Sequence, residues 1–164
     1  MEDEEKVHLS LKRHGYEPIK TIDKGAFAQV YLCKSTKYDD LFAAKVMNKS
    51  FITNLEIQAL KSLWHPYIIK MFEILEDDDL IFLILEYCDG GNMEKLGALD
   101  YNMFIYYSKQ ILEALNFCHS KSIAHRDIKP SNIYIDKYYR IRLADFGFAK
   151  KFEDQIVSKE KCGS

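Results

Sequence analysis

The chain has 164 residues, of which 48% are hydrophobic and 13% aromatic, and its 23 basic and 25 acidic side chains leave a formal net charge of −2. This composition is typical of a folded globular protein with one domain or two small lobes. The charge balance excludes a strongly basic chain, so we expect no nucleic-acid partner.

From the N-terminal residues and the apolar runs we expect neither export nor a membrane span. Its first residues, MEDEE, are acidic where a secretory signal would be basic. The longest apolar run, LIFLILEYC, contains Glu86 and is too short to cross a bilayer. The 4 cysteines are widely spaced and match neither a disulfide framework nor a zinc site, which favours reduced thiols. We therefore predict a soluble, cytoplasmic protein with no membrane partner.

The first half of the chain is predicted to be mostly β-strand. Residues 16–35 alternate apolar and polar side chains around a single glycine and predict a hairpin, and residues 41–49 predict a third short strand. Residues 55–64 repeat apolar side chains at helical spacing, and Pro66 ends that helix. Residues 68–91 hold two apolar runs joined by an acidic turn, which predicts a second hairpin.

The second half is predicted to begin with a long helix. Residues 100–122 are periodic and apolar on more than one face, so this helix needs neighbours on several sides. Two short strands follow, around residues 132–136 and 140–144. The sequence Asp-Phe-Gly comes directly after the second of them, at residues 145–147.

One loop concentrates charged and polar side chains between two apolar runs. It reads IAHRDIKPSNIYI and spans residues 123–135. Taken alone, it could be a solvated turn in which Arg126 and Asp127 pair. The spacing points to chemistry instead, because Asn132 follows Asp127 by five positions and Asp145 follows it by 18.

These motifs, in this order, resemble a eukaryotic protein kinase of the serine/threonine type. The loop matches H-R-D-x-K-x-x-N, residues 145–147 match D-F-G, and FAAK at residues 42–45 matches the lysine strand of the family. The resemblance runs from about residue 16 to residue 164. The style of the motifs is similar to that of the calcium/calmodulin-dependent and AMP-activated kinases.

The resemblance implies an α+β, two-lobed fold. It predicts an N-terminal segment at 1–15, an antiparallel β-rich small lobe at 16–88, and an incomplete helical large lobe at 89–164 that ends in the activation segment. The family continues past this point with an A-P-E motif and further helices. We therefore expect an outer face of the long helix to be exposed and open to a partner chain. Its candidate residues are Phe104, Ile105, Tyr107, Leu112 and Leu115.

The resemblance also implies transfer of the ATP γ-phosphoryl group to a serine or threonine hydroxyl of a protein substrate. Such a reaction needs positioning and neutralisation of phosphate charge. The implied catalytic residues are Asp127, which accepts or orients the hydroxyl, Lys129, which neutralises the phosphate, Lys45, which holds the α- and β-phosphates, and Glu56, which pairs with Lys45. Asp145 and Asn132 would hold Mg²⁺.

A nucleotide pocket is implied by the same resemblance. Its residues are Gly25 of the phosphate loop, Val30 and Ala43 above the adenine, Lys45, the gatekeeper Leu85, the hinge residues Glu86 and Cys88, and Tyr134 below the base. The competing interpretation is ordinary core packing for the apolar members and a lysine that reaches solvent from a strand.

The chain departs from the family at several positions. Asp23 and Ala28 stand where the phosphate loop of the family has glycines, which predicts weaker nucleotide binding. Lys45 and Glu56 are only 11 positions apart, so we expect a shortened helix or a shortened connection into it. Glu160 stands where related activation loops have a phosphorylated threonine, and we expect it to offer Arg126 a weaker, permanent charge.

These departures leave a second function open. A kinase-like chain of this length could be a non-catalytic nucleotide-binding or docking fragment that regulates a full kinase. The presence of Lys45, Asp127, Asn132 and Asp145 together favours the enzyme, because docking alone has no chemical need for all four.

Overall fold

The computed structural model describes residues 2–152, with side chains from residue 4. Residues 153–164, and with them the predictions for Glu160 and the activation segment, lie outside the described part. The helices are α1 (Glu2–Arg13), α2 (Asn54–Ser62) and α3 (Tyr101–Ser120). The strands are β1 (Tyr16–Lys24), β2 (Ala28–Ser35), β3 (Leu41–Asn48), β4 (Met71–Asp77), β5 (Leu80–Glu86), β6 (Ile123–Ala124), β7 (Ile133–Ile135), β8 (Ile141–Leu143) and β9 (Lys150–Lys151).

The first five strands form one antiparallel sheet in the order β1-β2-β3-β5-β4. Both predicted hairpins are present, with the acidic turn between β4 and β5. The register places Lys45 between Val30 of β2 and Leu83 of β5. Because side chains alternate across a strand, Ala43 and Lys45 share one face of the sheet.

The opposite face of the sheet is covered by α1, which the sequence analysis did not predict. Val7 and Leu11 of α1 are buried in a cluster with side chains of β2, β3, β4 and β5. Two ion pairs at the acidic turn hold the helix in place, Lys6 with Asp78 at 3.2 Å and Arg13 with Asp77 at 3.3 Å. The spacing of four between Val7 and Leu11 is a weak apolar signal for this docking in a mostly polar helix, whose third apolar residue, Leu9, is exposed.

Helix α2 is short, which is one of the two alternatives that the spacing of Lys45 and Glu56 predicts. It has 9 residues and is joined to β3 by a 3₁₀ turn at Lys49–Phe51. Thr53 caps it, because its side-chain oxygen accepts the backbone N–H of Glu56. This start places Glu56 in the first turn with its side chain buried.

Helix α3 carries one buried stripe, formed by Tyr107, Gln110, Ala114 and Cys118. The prediction that Tyr107 lies on an exposed face is therefore wrong, and Leu115 is also partly buried against the core. Their positions fall on the side of α3 that meets β6 and the β7–β8 hairpin. Phe104, Ile105 and Leu112 are exposed, as predicted. Within residues 2–152, no helix is long and apolar enough to span a membrane.

Candidate active site

Lys45 lies at the centre of a three-residue ionic cluster. Its Nζ donates to Oε1 of Glu56 at 3.0 Å and to Oδ1 of Asp145 at 3.1 Å. These partners are 11 and 100 positions away in sequence. The side chain of Glu56 is 4% exposed and that of Lys45 is 18% exposed. The cluster therefore connects β3, α2 and the Asp-Phe-Gly turn at a position that is largely shielded from solvent.

The ammonium group of Lys45 is held in its charged form. Burial by itself lowers the pKa of Lys45, but the carboxylates of Asp145 and Glu56 outweigh burial and the net shift of the pKa is upward. A buried cation of this kind can meet phosphate oxygens without first taking up a proton.

Asp127 is held by two side chains of its own loop. Its Oδ2 accepts from Nζ of Lys129 at 2.8 Å and from Nδ2 of Asn132 at 2.8 Å. The hydrogen bond from Lys129 is the main cause that lowers the pKa of Asp127, and Asn132 adds to it. Arg126, by contrast, is exposed and has a positive φ of 69°. The solvated-turn alternative, in which Arg126 pairs with Asp127, is thus replaced by a pair with Lys129.

His125 connects this loop to the Asp-Phe-Gly turn. Its Nε2–H donates to the carbonyl of Ala144 at 2.9 Å, and its Nδ1 accepts the N–H of Asp127 at 3.3 Å. The imidazole also meets the ring of Phe146 edge-on, with 4.6 Å between ring centroids. Burial lowers the pKa of His125, which keeps the ring neutral and fits a single proton on Nε2.

The β7–β8 hairpin brings Asn132 and Asp145 to the same end of two paired strands. Ile133 pairs with Leu143, and the N–H of Ala144 donates to the carbonyl of Asn132 at 2.9 Å. Asp145 has a φ of +64°, a region that non-glycine residues seldom occupy and that functional sites often use. This conformation turns its carboxylate toward Lys45.

The chemistry of these side chains fits a magnesium ion. Asn132 uses its amide nitrogen toward Asp127, which leaves the amide oxygen for a cation, and the carboxylate of Asp145 is partly exposed. Mg²⁺ prefers one or two protein oxygens supplemented by phosphates and water. The described residues contain no cluster of three or more His, Cys, Asp or Glu side chains that would hold a metal alone.

The predicted nucleotide-pocket residues come from adjoining strands and from the segment after β5. Ala43 pairs with Leu85 across β3 and β5, and Val30 pairs with Lys45 across β2 and β3. Burial is the main cause that raises the pKa of Tyr134, and the nearby carboxylates of Asp23 and Asp145 raise it further. The phenol of Tyr134 is therefore affected by a charge near the end of β1 and by one in the Asp-Phe-Gly turn.

Two of the predicted pocket residues, Cys88 and Gly25, have surroundings that bear on their predicted roles. Cys88 is buried, and burial raises the pKa of its thiol to about 12. Gly25 donates its N–H to the carbonyl of Ala28 at 2.9 Å without a positive φ, and a methyl group there would make only ordinary contact at 3.4 Å. The conformation of the turn therefore does not require glycine. Glycine would be needed only if a phosphate group approached the backbone closely at this position.

Sequence reasoning missed two contacts near the site. Phe27, at the tip of the β1–β2 turn, rests on Phe51 before α2, with 5.0 Å between ring centroids. The side chain of Glu86 receives a hydrogen bond from Nε of Arg142 at 2.8 Å. Arg142 alternates with apolar residues in RIRLA, which is a weak signal, because an alternating strand residue usually faces water.

The antiparallel sheet, the helical region below it and the polar side chains gathered between them define the α+β fold of protein kinases. The sequence model of the protein kinase domain matches residues 16–164. The chain therefore belongs to the protein kinase family, and the resemblance and the fold class that the sequence predicts are confirmed.

Named relatives are protein kinases with serine/threonine types among them. The 3-phosphoinositide-dependent protein kinase B of Dictyostelium discoideum is 37% identical over 85% of this chain and 17% of its own length. The cAMP-dependent protein kinase catalytic subunit of the same organism is 33% identical over 91% of this chain and 24% of its own. Serine/threonine-protein kinase cds1 of Schizosaccharomyces pombe is 34% identical over 90% of this chain and 36% of its own length. The chain thus spans less than half the length of each of these relatives.

Proposed function

We propose that this chain carries out serine/threonine protein kinase chemistry, the transfer of the γ-phosphoryl group of Mg-ATP to a protein hydroxyl. One observation carries the proposal: Lys45 binds both Glu56 and Asp145, while His125 joins the loop of Asp127 to the residue before Asp145. Direct hydrogen bonds therefore link polar groups that are far apart in sequence, in support of this proposal. Such an arrangement is costly to build for packing alone, because each polar group must be desolvated.

Each side chain has a task that its geometry supports. Lys45 would neutralise the α- and β-phosphates. Glu56 would orient the ammonium group of Lys45 toward them. Asp127, ionised and held by Asn132, would orient the substrate hydroxyl. Lys129 is already at 2.8 Å from Asp127 and is exposed, so it would shift easily to meet the transferred phosphate.

Asp145 and Asn132 would supply the protein oxygens that hold Mg²⁺. When bound, the ion would neutralise charge on the phosphate oxygens as transfer proceeds. The nucleotide would lie between Val30 and Ala43 above and Tyr134 below, with the backbone of Glu86 and Cys88 along its edge.

A second candidate function is a nucleotide-binding docking fragment that regulates a kinase. The observation that favours it is the exposed side of α3, where Phe104, Ile105 and Leu112 face solvent. Large apolar side chains exposed on one helix invite a covering polypeptide. We propose that a partner chain covers this face, in the enzyme as well as in the docking fragment.

We also propose a cytoplasmic location. Cys33, Cys88 and Cys118 are free and buried, and the described residues hold no disulfide. Reduced, buried thiols are typical of proteins in a reducing compartment.

The proposed function is tested by separating nucleotide binding from transfer. The measurements are the thermal shift with Mg-ATP and the transfer of radiolabelled phosphate to a generic basic protein. Asp145→Asn is expected to lose both signals, whereas Asp127→Asn keeps the shift and loses transfer by about 10²-fold or more. Asp78→Asn, on the acidic turn, is the matched control that keeps both.

The outcomes separate the two functions. Transfer by the wild type that the Asp127 variant lacks supports the kinase. Binding without transfer in the wild type supports the docking fragment, and a wild type that folds but shows neither signal contradicts both.

A further inference from the structure

A second buried ionic cluster lies outside the residues assigned to phosphate and metal. It consists of the side chains of Glu86, Asp136 and Arg142 with the backbone carbonyl of Pro66, and we call it the hinge cluster. The side chains of Arg142 and Asp136 are only 8% and 6% exposed. A buried ionic group gives little net stability when compared with apolar packing, so its presence needs another explanation.

Arg142 reaches three separate parts of the fold with one guanidinium group. Its Nε donates to Oε2 of Glu86 at 2.8 Å, and its Nη2 pairs with Oδ2 of Asp136 at 3.0 Å. Its Nη1 donates to the carbonyl of Pro66 in the connection between α2 and β4. The fixed planar fork of arginine suits this task, whereas lysine could not satisfy all three acceptors at once.

Asp136 is held rigidly before it meets Arg142. Its Oδ1 accepts the backbone N–H groups of Tyr138 and Arg140, each at 2.9 Å. Its Oδ2 accepts Nε of Arg140, also at 2.9 Å. Asp136 is thus part of the β7–β8 turn, and it fixes Arg142 relative to the large lobe.

Backbone hydrogen bonds follow the same route from β8 to the hinge. Leu143 donates to the carbonyl of Tyr67 and accepts the N–H of Ile69, each at 2.9 Å. Lys70, the next residue along, accepts the N–H of Glu86 at 2.9 Å. Strand β8, which leads to Asp145, is therefore connected to the end of β5 in two ways. Backbone hydrogen bonds run through residues 67–70, and the side chain of Arg142 binds the carboxylate of Glu86.

We propose that Arg142 is a positioning residue for nucleotide binding, which acts by holding Glu86 and the hinge backbone at a fixed distance from β8, the strand that leads to Asp145. This inference rests on the proposed function, since the hinge and Asp145 are the two ends of the nucleotide site. Arg142 would not touch the nucleotide itself, and among the described residues its one hydrogen bond to a residue of the proposed pocket is with Glu86. Its effect passes through the side chain of Glu86, whose backbone would meet the adenine.

The test is a double-mutant cycle on the full chain with Arg142→Gln and Glu86→Gln, read out as the dissociation constant for Mg-ATP. Each single variant is expected to weaken binding about fivefold or more. The double variant is expected to bind Mg-ATP no more weakly than the weaker-binding single variant, because each substitution removes the same contact between Arg142 and Glu86. Arg140→Gln is the matched control, since it removes an arginine from Asp136 without touching Glu86, and its dissociation constant is expected to stay within about twofold of the wild type.

A merely structural role is excluded by a comparison with Leu11→Ala. That variant destabilises the small lobe from the face opposite to the site, so it lowers stability while the dissociation constant in the folded protein stays unchanged. If Arg142→Gln does not fold, Glu86→Gln and Arg140→Gln alone decide the question, because Glu86→Gln keeps the pair of Arg142 with Asp136.

Hydrogen exchange in the nucleotide-free protein separates this inference from the proposed function. Loss of the hinge cluster is expected to speed exchange at the N–H groups of Glu86 and Leu143 in Arg142→Gln, but not in Arg140→Gln. A wild type that does not bind Mg-ATP contradicts the proposed function, whatever the exchange rates are. Unchanged dissociation constants in both single variants, or equal exchange in the two arginine variants, overturn the role of Arg142.

Discussion

Replacement of Glu56 by glutamine tests whether the strength of the Lys45–Glu56 ion pair comes from burial rather than from distance. The chain offers a matched comparison, because Lys49 and Glu76 form a pair of the same length. Both pairs have an N–O distance of 3.0 Å. The side chains are 18% and 4% exposed in the Lys45–Glu56 pair, but 38% and 62% exposed in the Lys49–Glu76 pair.

The expected magnitudes follow from these exposures. At 3.0 Å and an effective dielectric constant of about 20, the attraction is roughly 5 kcal/mol, and desolvation offsets much of it. Asp145 remains beside Lys45 in the variant, and glutamine can still accept a hydrogen bond. We therefore expect Glu56→Gln to lower the free energy of unfolding by about 2 kcal/mol. Glu76→Gln is expected to lower it by less than about 0.5 kcal/mol.

The assay is urea unfolding of the wild type and both variants at low and high salt. A loss of about 2 kcal/mol corresponds to a fall of roughly 4–8 °C in the midpoint of thermal unfolding for a chain of this size. High salt should reduce the small effect of Glu76→Gln and leave that of Glu56→Gln nearly intact, because buried charges are screened less. Equal losses in the two variants, or equal sensitivity to salt, would refute the reasoning from burial.

Three further predictions concern the core, pH and thiol reactivity. Leu11→Ala, at a fully buried position of α1, should lower the free energy of unfolding by about 3 kcal/mol in urea. Leu9→Ala, on the same helix but 56% exposed, should cost less than about 0.5 kcal/mol, and equal costs would contradict the docking of α1. Burial lowers the pKa of His125 from 6.5, so unfolding takes up a proton, and stability should be full above pH 6.5 and fall as the pH drops below it. His125→Gln should show a shallower pH slope, while an unchanged slope would assign the effect to other groups. Because burial raises the pKa of the Cys88 thiol to about 12, mass spectrometry should find it unlabelled by iodoacetamide at neutral pH until urea unfolds the chain. Labelling as fast as in urea would show that the thiol is open to solvent.

The local elements of the fold could be read from the sequence because their signals are local. The hairpins around residues 16–35 and 68–91 are set by alternation and by the turns between their strands, and the structure contains both. The short spacing between Lys45 and Glu56 predicted a shortened helix or a shortened connection into it, and α2 has 9 residues. The motif residues of the site were also named in advance, and their catalytic roles remain predictions.

Other features could not be read, because they depend on which distant surface a side chain meets. The docking of α1 depends on a face of the sheet that does not exist until β1 to β5 have paired. Tyr107 belongs to an apolar helix with more than one candidate face, and its burial in the core cluster that contains Ile135 and Ile141 becomes evident only in the folded chain. Arg142 has no local reason to turn inward.

The amino-acid sequence by itself determined which residues are available for phosphate and metal chemistry, and the order of strands and helices that carries them. Only the tertiary structure decided that Lys45 meets Asp145, which lies 100 positions away, and that Arg142 meets Glu86, which lies 56 positions away. The physical reason is that propensity and periodicity act over one or two turns of chain. The pairing of buried charges depends instead on the desolvation and geometry that only the assembled core provides.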